Sequence, residues 1–347
     1  MTAKKIFNIV SGNPSGALNV SMTISNFLKN NGYNVINIFR KYNNTSLENI
    51  TVIKDKFILD YILSLSKLIR AFQPDLIMVH GYSTHIWTKF ALAHSKMDVK
   101  LIHIEHNTEK YTILRRYLTK YLDKYTTKYI CVSQTVAEHL KKQYINKNKV
   151  SVIYNGIEIK KFSEVPKKTH DIFTIGMVAR FAKQKDHLTL IKAVEYLIKN
   201  HNETVNLILM GTGKTKSKCE NYVNKHDLNN NVFFTTGKFT DLIPQIDTFV
   251  LSTHYEGQGL VACEAMASKC PVLFTDISVA RELITDNYNG LLFPPEDYKS
   301  LAHCLLQIKH KKIDVDFLIN NGYNTVCQKF AESQMLQSYL VLIQNLI

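Results

Sequence analysis

Residues 252–267 read STHYEGQGLVACEAMA, and the punctuation of this stretch decides the fold. Just before it, Asp247–Leu251 (DTFVL) is a short apolar run with Val and Phe, the pattern of a strand buried in a parallel sheet. The loop Ser252–Gly259 then carries two glycines, an acid and an aromatic. From Leu260 the pattern turns helical, with Leu260, Cys263, Met266 and Ala267 spaced to line one face. A strand, a glycine loop and a helix start aim free backbone N–H groups and the positive end of a helix dipole at an anion. Glu256 lies in the loop, and Glu264 follows about one turn into the helix. A phosphate resting on the amides near Gly257–Val261 would have a carboxylate on either side, each able to reach a hydroxyl group. A glycine turn ahead of a core helix, with two solvated acids, explains the stretch alone equally well.

At 347 residues the chain is too long for one small core, and two domains are expected. A hydrophobic fraction of 45% argues against global disorder. The net charge of +14 points to an anionic partner: a nucleotide, a nucleic acid or a lipid headgroup. Cysteines 131, 219, 263, 270, 304 and 327 form no CxxC pair and have no metal-like histidine neighbours, so they read as reduced core thiols of a cytosolic protein. The start MTAKKIFNIVSGNPSG reads as a first strand, not a signal peptide. No stretch reaches the roughly 18 apolar residues of a spanning helix, so any membrane contact is expected to be peripheral.

Working outward, Lys5–Val10 is a strand, a helix runs through Val20, Ile24, Phe27 and Leu28, and Val35–Phe39 is the next strand. The loop of this βαβ unit contains Gly16, at the carboxyl end of the first strand, where open α/β sheets place ligands. A helix is expected over Ile58–Phe72, a strand over Leu76–Val79 ending at His80-Gly81, and a helix over Trp87–Ala93. The strand Lys100–Ile104 ends in Glu105-His106-Asn107. A histidine at a strand's carboxyl end serves as a polar clamp or has a purely structural role, and the second is the ordinary case for His80 and His106. Lys110–Lys128 mixes Lys110, Arg115, Arg116, Lys120, Lys124 and Lys128 with tyrosines and leucines at helical spacing. Such a helix lies on an anionic membrane or is simply solvated on its basic face. Strands over Tyr129–Ser133 and Val150–Tyr154 bracket a helix over Thr135–Tyr144. The polar segment Lys160–Asp171 reads as an interdomain linker.

The alternation then restarts: strands over Phe173–Val178, Val205–Met210, Val232–Phe234, Pro271–Phe274 and Leu291–Phe293, with helices over Leu188–Asn200, Asp241–Gln245, Leu301–Gln307, Asp316–Lys329 and Met335–Ile347. The fold class is therefore α/β, with two doubly wound, Rossmann-like domains facing across a cleft. Arg180 and Lys185 occupy the loop after the second half's first strand. Two cations and a helix N-terminus are what a diphosphate needs, although a lysine-rich surface loop is also credible in a chain this basic.

Together these motifs carry a resemblance. YEGQGLVACEAMA, with Glu256 and Glu264 separated by seven residues, resembles the EX7E signature of retaining GT-B glycosyltransferases of family four (group 1). VARFAKQKD, VIYNGIE, NGLLFPPED and the SGAL loop resemble that family's other motifs, in order and over nearly the whole chain. The resemblance implies an acceptor-side domain over residues 1–160, with the helix 332–347 packing back on it, and a nucleotide-sugar donor domain over 170–331. It implies transfer of a sugar from a nucleotide donor, UDP-sugars favoured, with retention and with no metal or other cofactor. By position, Arg180 and Lys185 would hold the diphosphate and Glu264 the ribose hydroxyls. Glu256 would hold the donor sugar together with the amides of Gly257, Gln258, Gly259 and Leu260. His106 would touch that sugar, Gly16 would let a loop approach it, and Phe239 would pack the base. Ala179, Gln258 and Val261-Ala262 depart from the family pattern, and Gln258 bears on which sugar is accepted. The implied acceptor is a glycan or lipid-linked sugar in cell-envelope, capsule or exopolysaccharide synthesis, at the inner face of the membrane, with contact through residues 110–128. The alternatives are a sugar-nucleotide epimerase and a non-enzymatic protein binding nucleic acid; no nucleic-acid motif accompanies the basic residues.

Overall fold

A computed structural model describes residues 3–13, 15–40, 50–53, 57–108, 111–143, 145–166 and 171–347. Pro14, Glu109, Lys110, Tyr144 and the segment 167–170 of the expected linker lie outside the described residues. The chain divides into two units, Met1–Asn155 with Gln334–Ile347, and Gly156–Ser333.

Aliphatic runs without alternation make strands that are buried on both faces. In the first unit these are β1 (Lys5–Val10), β2 (Asn34–Phe39), β3 (Ile50–Val52), β4 (Leu76–His80), β5 (Lys100–Glu105), β6 (Lys128–Cys131) and β7 (Val150–Val152). They form a parallel sheet of order β3-β2-β1-β4-β5-β6-β7. The connecting helices are α1 (Gly16–Asn30), α2 (Ile58–Phe72), α3 (Tyr82–Ser95), α4 (Ile113–Tyr121) and α5 (Gln134–Lys141). Phe7, Ile9, Ile77, Val79 and Leu101 from the strands pack with Tyr61, Leu65 and Ile69 of α2 in one core cluster. Because β1 lies between β2 and β4, the chain reverses its direction of travel across the sheet there. Loops leaving neighbouring strands in opposite directions open a crevice at the carboxyl edge, where open α/β sheets bind ligands. Gly16 follows β1, and His80 and His106 stand at the ends of β4 and β5.

The second unit repeats the scheme with α6 (Ile159–Ser163), β8 (Phe173–Val178), α7 (His187–His201), β9 (Val205–Met210), α8 (Lys216–Lys225), β10 (Val232–Thr235), α9 (Phe239–Leu242), β11 (Thr248–Leu251), α10 (Leu260–Ala267), β12 (Val272–Thr275), α11 (Ala280–Leu283), β13 (Leu291–Phe293), α12 (Tyr298–Lys309) and α13 (Val315–Lys329). The order is β10-β9-β8-β11-β12-β13, again parallel, and its reversal falls between β8 and β11. The last helix is α14 (Glu332–Gln344), and from Gln334 it belongs to the first unit. There Tyr339 is fully buried, and burial together with nearby Cys131 drives its hydroxyl pKa far upward.

Several local expectations differ from the structure. The basic helix is confined to Ile113–Tyr121, because Thr112 caps its start and a 3-10 turn follows at Asp123–Tyr125. The break between units falls at Asn155–Gly156, ahead of the expected linker. Residues 159–163 of that region form α6, because Phe162 buries its ring against Phe239. β3, α8 and α11 were not foreseen: β3 has three residues, α11 four, and α8 buries only Cys219 and Val223.

One glycine joins the strand ends of the second sheet. Gly211, just past β9, has φ +151°, and a Cβ there would sit 2.1 Å from the carbonyl oxygen of Ala179. Gly211→Ala is expected to lower stability by about 2 kcal/mol or more. Urea unfolding reads it out, and a loss below 0.5 kcal/mol would contradict the close approach.

Candidate active site

The second unit's site grows from two loops at the β8/β11 reversal. The loop after β8 runs Ala179–Asp186, and Asp186 ends it by capping α7, accepting from the Thr189 N–H at 3.3 Å and the Thr189 hydroxyl at 2.5 Å. Phe181 anchors its middle in the core, stacked on His187 with ring centroids 4.1 Å apart. The His187 imidazole is pushed down to about 4, mainly by burial, so it is neutral, and its Nδ1 lies 2.6 Å from the Lys185 carbonyl oxygen. A neutral Nδ1–H donates there and fixes the backbone of Lys185.

The loop after β11 is sewn to this one. His254 N–H donates to the Gln184 carbonyl at 2.8 Å, Gln184 Nε2 donates to the Tyr255 carbonyl at 2.5 Å, and Thr253 Oγ1 lies 3.0 Å from the Gln184 carbonyl. Thr253 N–H in turn donates to Thr275 Oγ1 at 2.9 Å, tying the loop to β12. These bonds bring Lys185 Nζ against Glu256 Oε1 in an ion pair, both side chains being largely buried. Burial first, and the like charge of Arg180 second, push the Lys185 ammonium down to about 7. The pairing with Glu256 opposes that shift, because an adjacent carboxylate favours the charged form. Arg180 itself is exposed.

After Glu256, the buried residues Gly257 and Gln258 lead to Gly259, the N-cap of α10, at φ +82°. A Cβ at Gly259 would meet the Phe274 ring at 2.9 Å, so both conformation and space demand glycine. No side chain caps α10, and the N–H groups of Leu260 and Val261 open the helix; Ala262 N–H already bonds the Gly259 carbonyl at 2.9 Å. Glu264 stands one turn in, on a helix whose other side chains are mostly buried. Burial raises its carboxyl to about 7, with Lys161 of α6 opposing.

Of the expected site residues, Arg180, Lys185, Glu256, Gly257, Gln258, Gly259, Leu260 and Glu264 all lie on these two loops and the first turns of α10. Phe239 differs. It is buried, with Phe249 edge-on at 5.4 Å and Phe162 at 6.1 Å, so its ring serves the core of this unit. Gly16 opens α1 with nothing within 4 Å of a would-be Cβ, so its own unit does not require glycine there. His106 lies in the first unit beside His80, their Nε2 and Nδ1 atoms 3.0 Å apart. The buried Glu105 shapes that turn: Oε1 accepts from the His106 N–H at 3.1 Å and the Asn107 N–H at 3.4 Å, and Oε2 from the Tyr111 hydroxyl at 3.0 Å. Sequence reasoning missed Gln184, Thr253 and Asn8, a partner of His80. No motif marks them, because their roles depend on partners distant in the chain.

Residues 158–325 match the family model for glycosyl transferases group 1, and residues 14–161 match that for Glycosyltransferase Family 4. The chain is a glycosyltransferase with the GT-B fold. An uncharacterized glycosyltransferase of Methanocaldococcus jannaschii is 28% identical over 280 residues, covering 77% of this chain and 76% of that one. A UDP-Gal:alpha-D-GlcNAc-diphosphoundecaprenol alpha-1,3-galactosyltransferase of Escherichia coli is 25% identical, over 82% of this chain and 78% of that one. The structure of Anabaena HepE in complex with UDP superposes with a TM-score of 0.86 at 18% identity, covering 99% of this chain and 100% of that one. The epimerase and nucleic-acid-binding alternatives give way to this assignment. Among the described residues of the glycosyltransferase, all six cysteines are free, no helix is long and apolar enough to cross a membrane, and no three His, Cys, Asp or Glu side chains are grouped to hold a metal ion.

Glu264 supplies a test. Its folded pKa is raised, so its contribution to stability is full below the ordinary carboxylate range and is lost as pH rises through about 7. Glu264→Gln is therefore expected to be more stable than the parent at pH 8 by about 1–3 kcal/mol, with the gap closing by pH 5. Denaturant unfolding at the two pH values checks this; an equal or lower stability at pH 8 would contradict the burial argument.

Proposed function

We propose that this glycosyltransferase moves a sugar from a UDP-sugar, with retention at the anomeric carbon and without a metal, to a glycan or lipid-linked acceptor of the cell envelope. One observation carries the reading: the β8 and β11 loops hold Arg180, Lys185, Glu256 and the open N-terminus of α10 together, with Glu264 one turn further on. In the reaction an acceptor hydroxyl oxygen bonds to the anomeric carbon and the bond from that carbon to the diphosphate breaks. The hydroxyl proton passes to the departing phosphate oxygen. Negative charge grows on the leaving diphosphate, where the Arg180 and Lys185 cations and the Leu260 and Val261 N–H groups stabilise it. Lys185 waits on Glu256 and turns to the diphosphate when donor arrives, which frees Glu256 for the sugar hydroxyls. Glu264 takes the ribose hydroxyls. Retention and the role of His106 at the sugar rest on the EX7E resemblance. The UDP donor and lipid-linked acceptor draw on the Escherichia coli relative's name, and UDP also on the Anabaena structure.

The test offers UDP-galactose, UDP-glucose and UDP-N-acetylglucosamine, with excess EDTA, to the protein and a GlcNAc-diphospho-lipid acceptor. A glycoside with the donor's anomeric configuration is the expected product; an inverted linkage would overturn retention, and recovery only on adding a divalent ion would overturn metal independence. Arg180→Ala and Lys185→Ala are each expected to weaken UDP binding by about tenfold or more, the scale of a lost charge-assisted hydrogen bond. Calorimetric titration reads this, and unchanged affinity in both would remove the diphosphate assignment.

The acceptor reading extends to α4. Ile113 and Leu114 are 73% and 75% exposed, Tyr117 and Tyr121 are also exposed, and Arg115, Lys120 and Lys124 share the segment. Apolar side chains beside cations fit an anionic lipid surface, where each cation near the membrane contributes about 1 kcal/mol. Sedimentation with vesicles containing an anionic phospholipid is expected at low salt and not with neutral vesicles. Ile113→Ser with Leu114→Ser should weaken it severalfold; equal binding to neutral vesicles would contradict the electrostatic part.

A further inference from the structure

At the reversal of the first sheet, a row of buried polar side chains runs from the strand core to His106. Asn8 of β1 is buried, an exception in the run KIFNIV. Its Nδ2 lies 3.2 Å from the Ser21 main-chain carbonyl oxygen, 2.9 Å from Ser21 Oγ and 2.9 Å from Asn37 Oδ1. Its Oδ1 lies 3.1 Å from His80 Nε2, and His80 Nδ1 lies 3.0 Å from His106 Nε2.

The proton positions along this row follow from one group that has no choice. A main-chain carbonyl only accepts, so the Asn8 atom facing the Ser21 oxygen must be the NH2 nitrogen. Asn8 Oδ1 then faces His80, and His80 Nε2 must carry hydrogen. Burial holds His80 well below the ordinary histidine range and pushes His106 down to about 4, so both rings are neutral near pH 7. A neutral His80 with hydrogen on Nε2 offers a lone pair at Nδ1. His106 must therefore donate from Nε2, which leaves its own Nδ1 bare.

We infer that Asn8 and His80 fix His106 as the Nε2–H tautomer, so that His106 Nδ1 accepts a hydrogen bond from a substrate hydroxyl. This rests on the reading of His106 as the sugar contact. Asn8 and His80 are positioning residues: they touch no substrate and act by holding the ring's tautomer and plane. Without them the ring could present Nδ1–H, a donor, and would favour a different hydroxyl geometry.

The direct test is nitrogen-15 imidazole NMR on the full-length protein at pH 7, with the His106 signals assigned by loss in His106→Ala. Nε2–H on His106 with an unprotonated Nδ1 is expected; an Nδ1–H pattern or an imidazolium overturns the relay. Kinetics form the second arm, using the UDP-sugar accepted in the panel above. His80→Leu should lower turnover about tenfold with UDP affinity unchanged. His80→Gln, whose amide can accept from His106 and donate to Asn8, should recover most of the loss. A folded His80→Leu with wild-type turnover, or a His80→Gln as impaired as His80→Leu, overturns the inference. If His106→Ala itself turns over normally, the sugar contact fails, an outcome separable from the tautomer result.

Discussion

The arrangement depends on β8 and β11 being neighbours. They pair in parallel, Thr248 beside Ile175, although three helices and two further strands separate them in the chain. Only at such a reversal do two βα loops leave adjacent strand ends in opposite directions. The Lys185–Glu256 pair crosses that gap, and the hydrogen bonds of Gln184 and Thr253 make the two loops one surface. A buried ion pair is weak evidence for stability, because desolvation offsets its attraction. In the proposed reaction its value lies in position: it stores a cation and a carboxylate where the donor would use both.

The site carries other groups that a purely structural protein would avoid. Glu264 is held in surroundings that favour its protonated form, Gly259 occupies a left-handed conformation against Phe274, and the helix that follows has no side-chain cap. Each lowers stability. The first unit does the same with Asn8, a polar side chain inside an aliphatic strand, whose satisfied hydrogen bonds extend to the sheet edge at His80 and His106.

The fold was legible wherever burial writes a continuous signal. β1, β8 and β9 and the helix α2 coincide with their expected limits, because long apolar runs and a strong helical periodicity leave little choice. α8 was not legible because only Cys219 and Val223 of it are buried, and β3 because three half-buried residues carry no pattern. That Arg180, Lys185, Glu256 and Glu264 fall on two loops and a helix start was legible from the strand–loop–helix pattern, and their donor roles are what the motif resemblance implies. The stitching by Gln184 and Thr253, the close approach of Gly211 to Ala179, and the Asn8–His80–His106 row join residues far apart in sequence. Phe239 shows the reverse limit: a motif position placed its ring at the base, while local packing gives it two aromatic neighbours in the core.

Hydrogen exchange with and without UDP tests the central claim, that the two loops at the β8/β11 reversal are the donor's diphosphate site. The account expects UDP to slow exchange in segments covering 180–186 and 257–262, and least in 202–204 and 227–231, which precede β9 and β10 at the opposite, amino edge of the sheet. Saturable binding of UDP with no protection in either loop, or with protection centred on another part of the second unit, would contradict it.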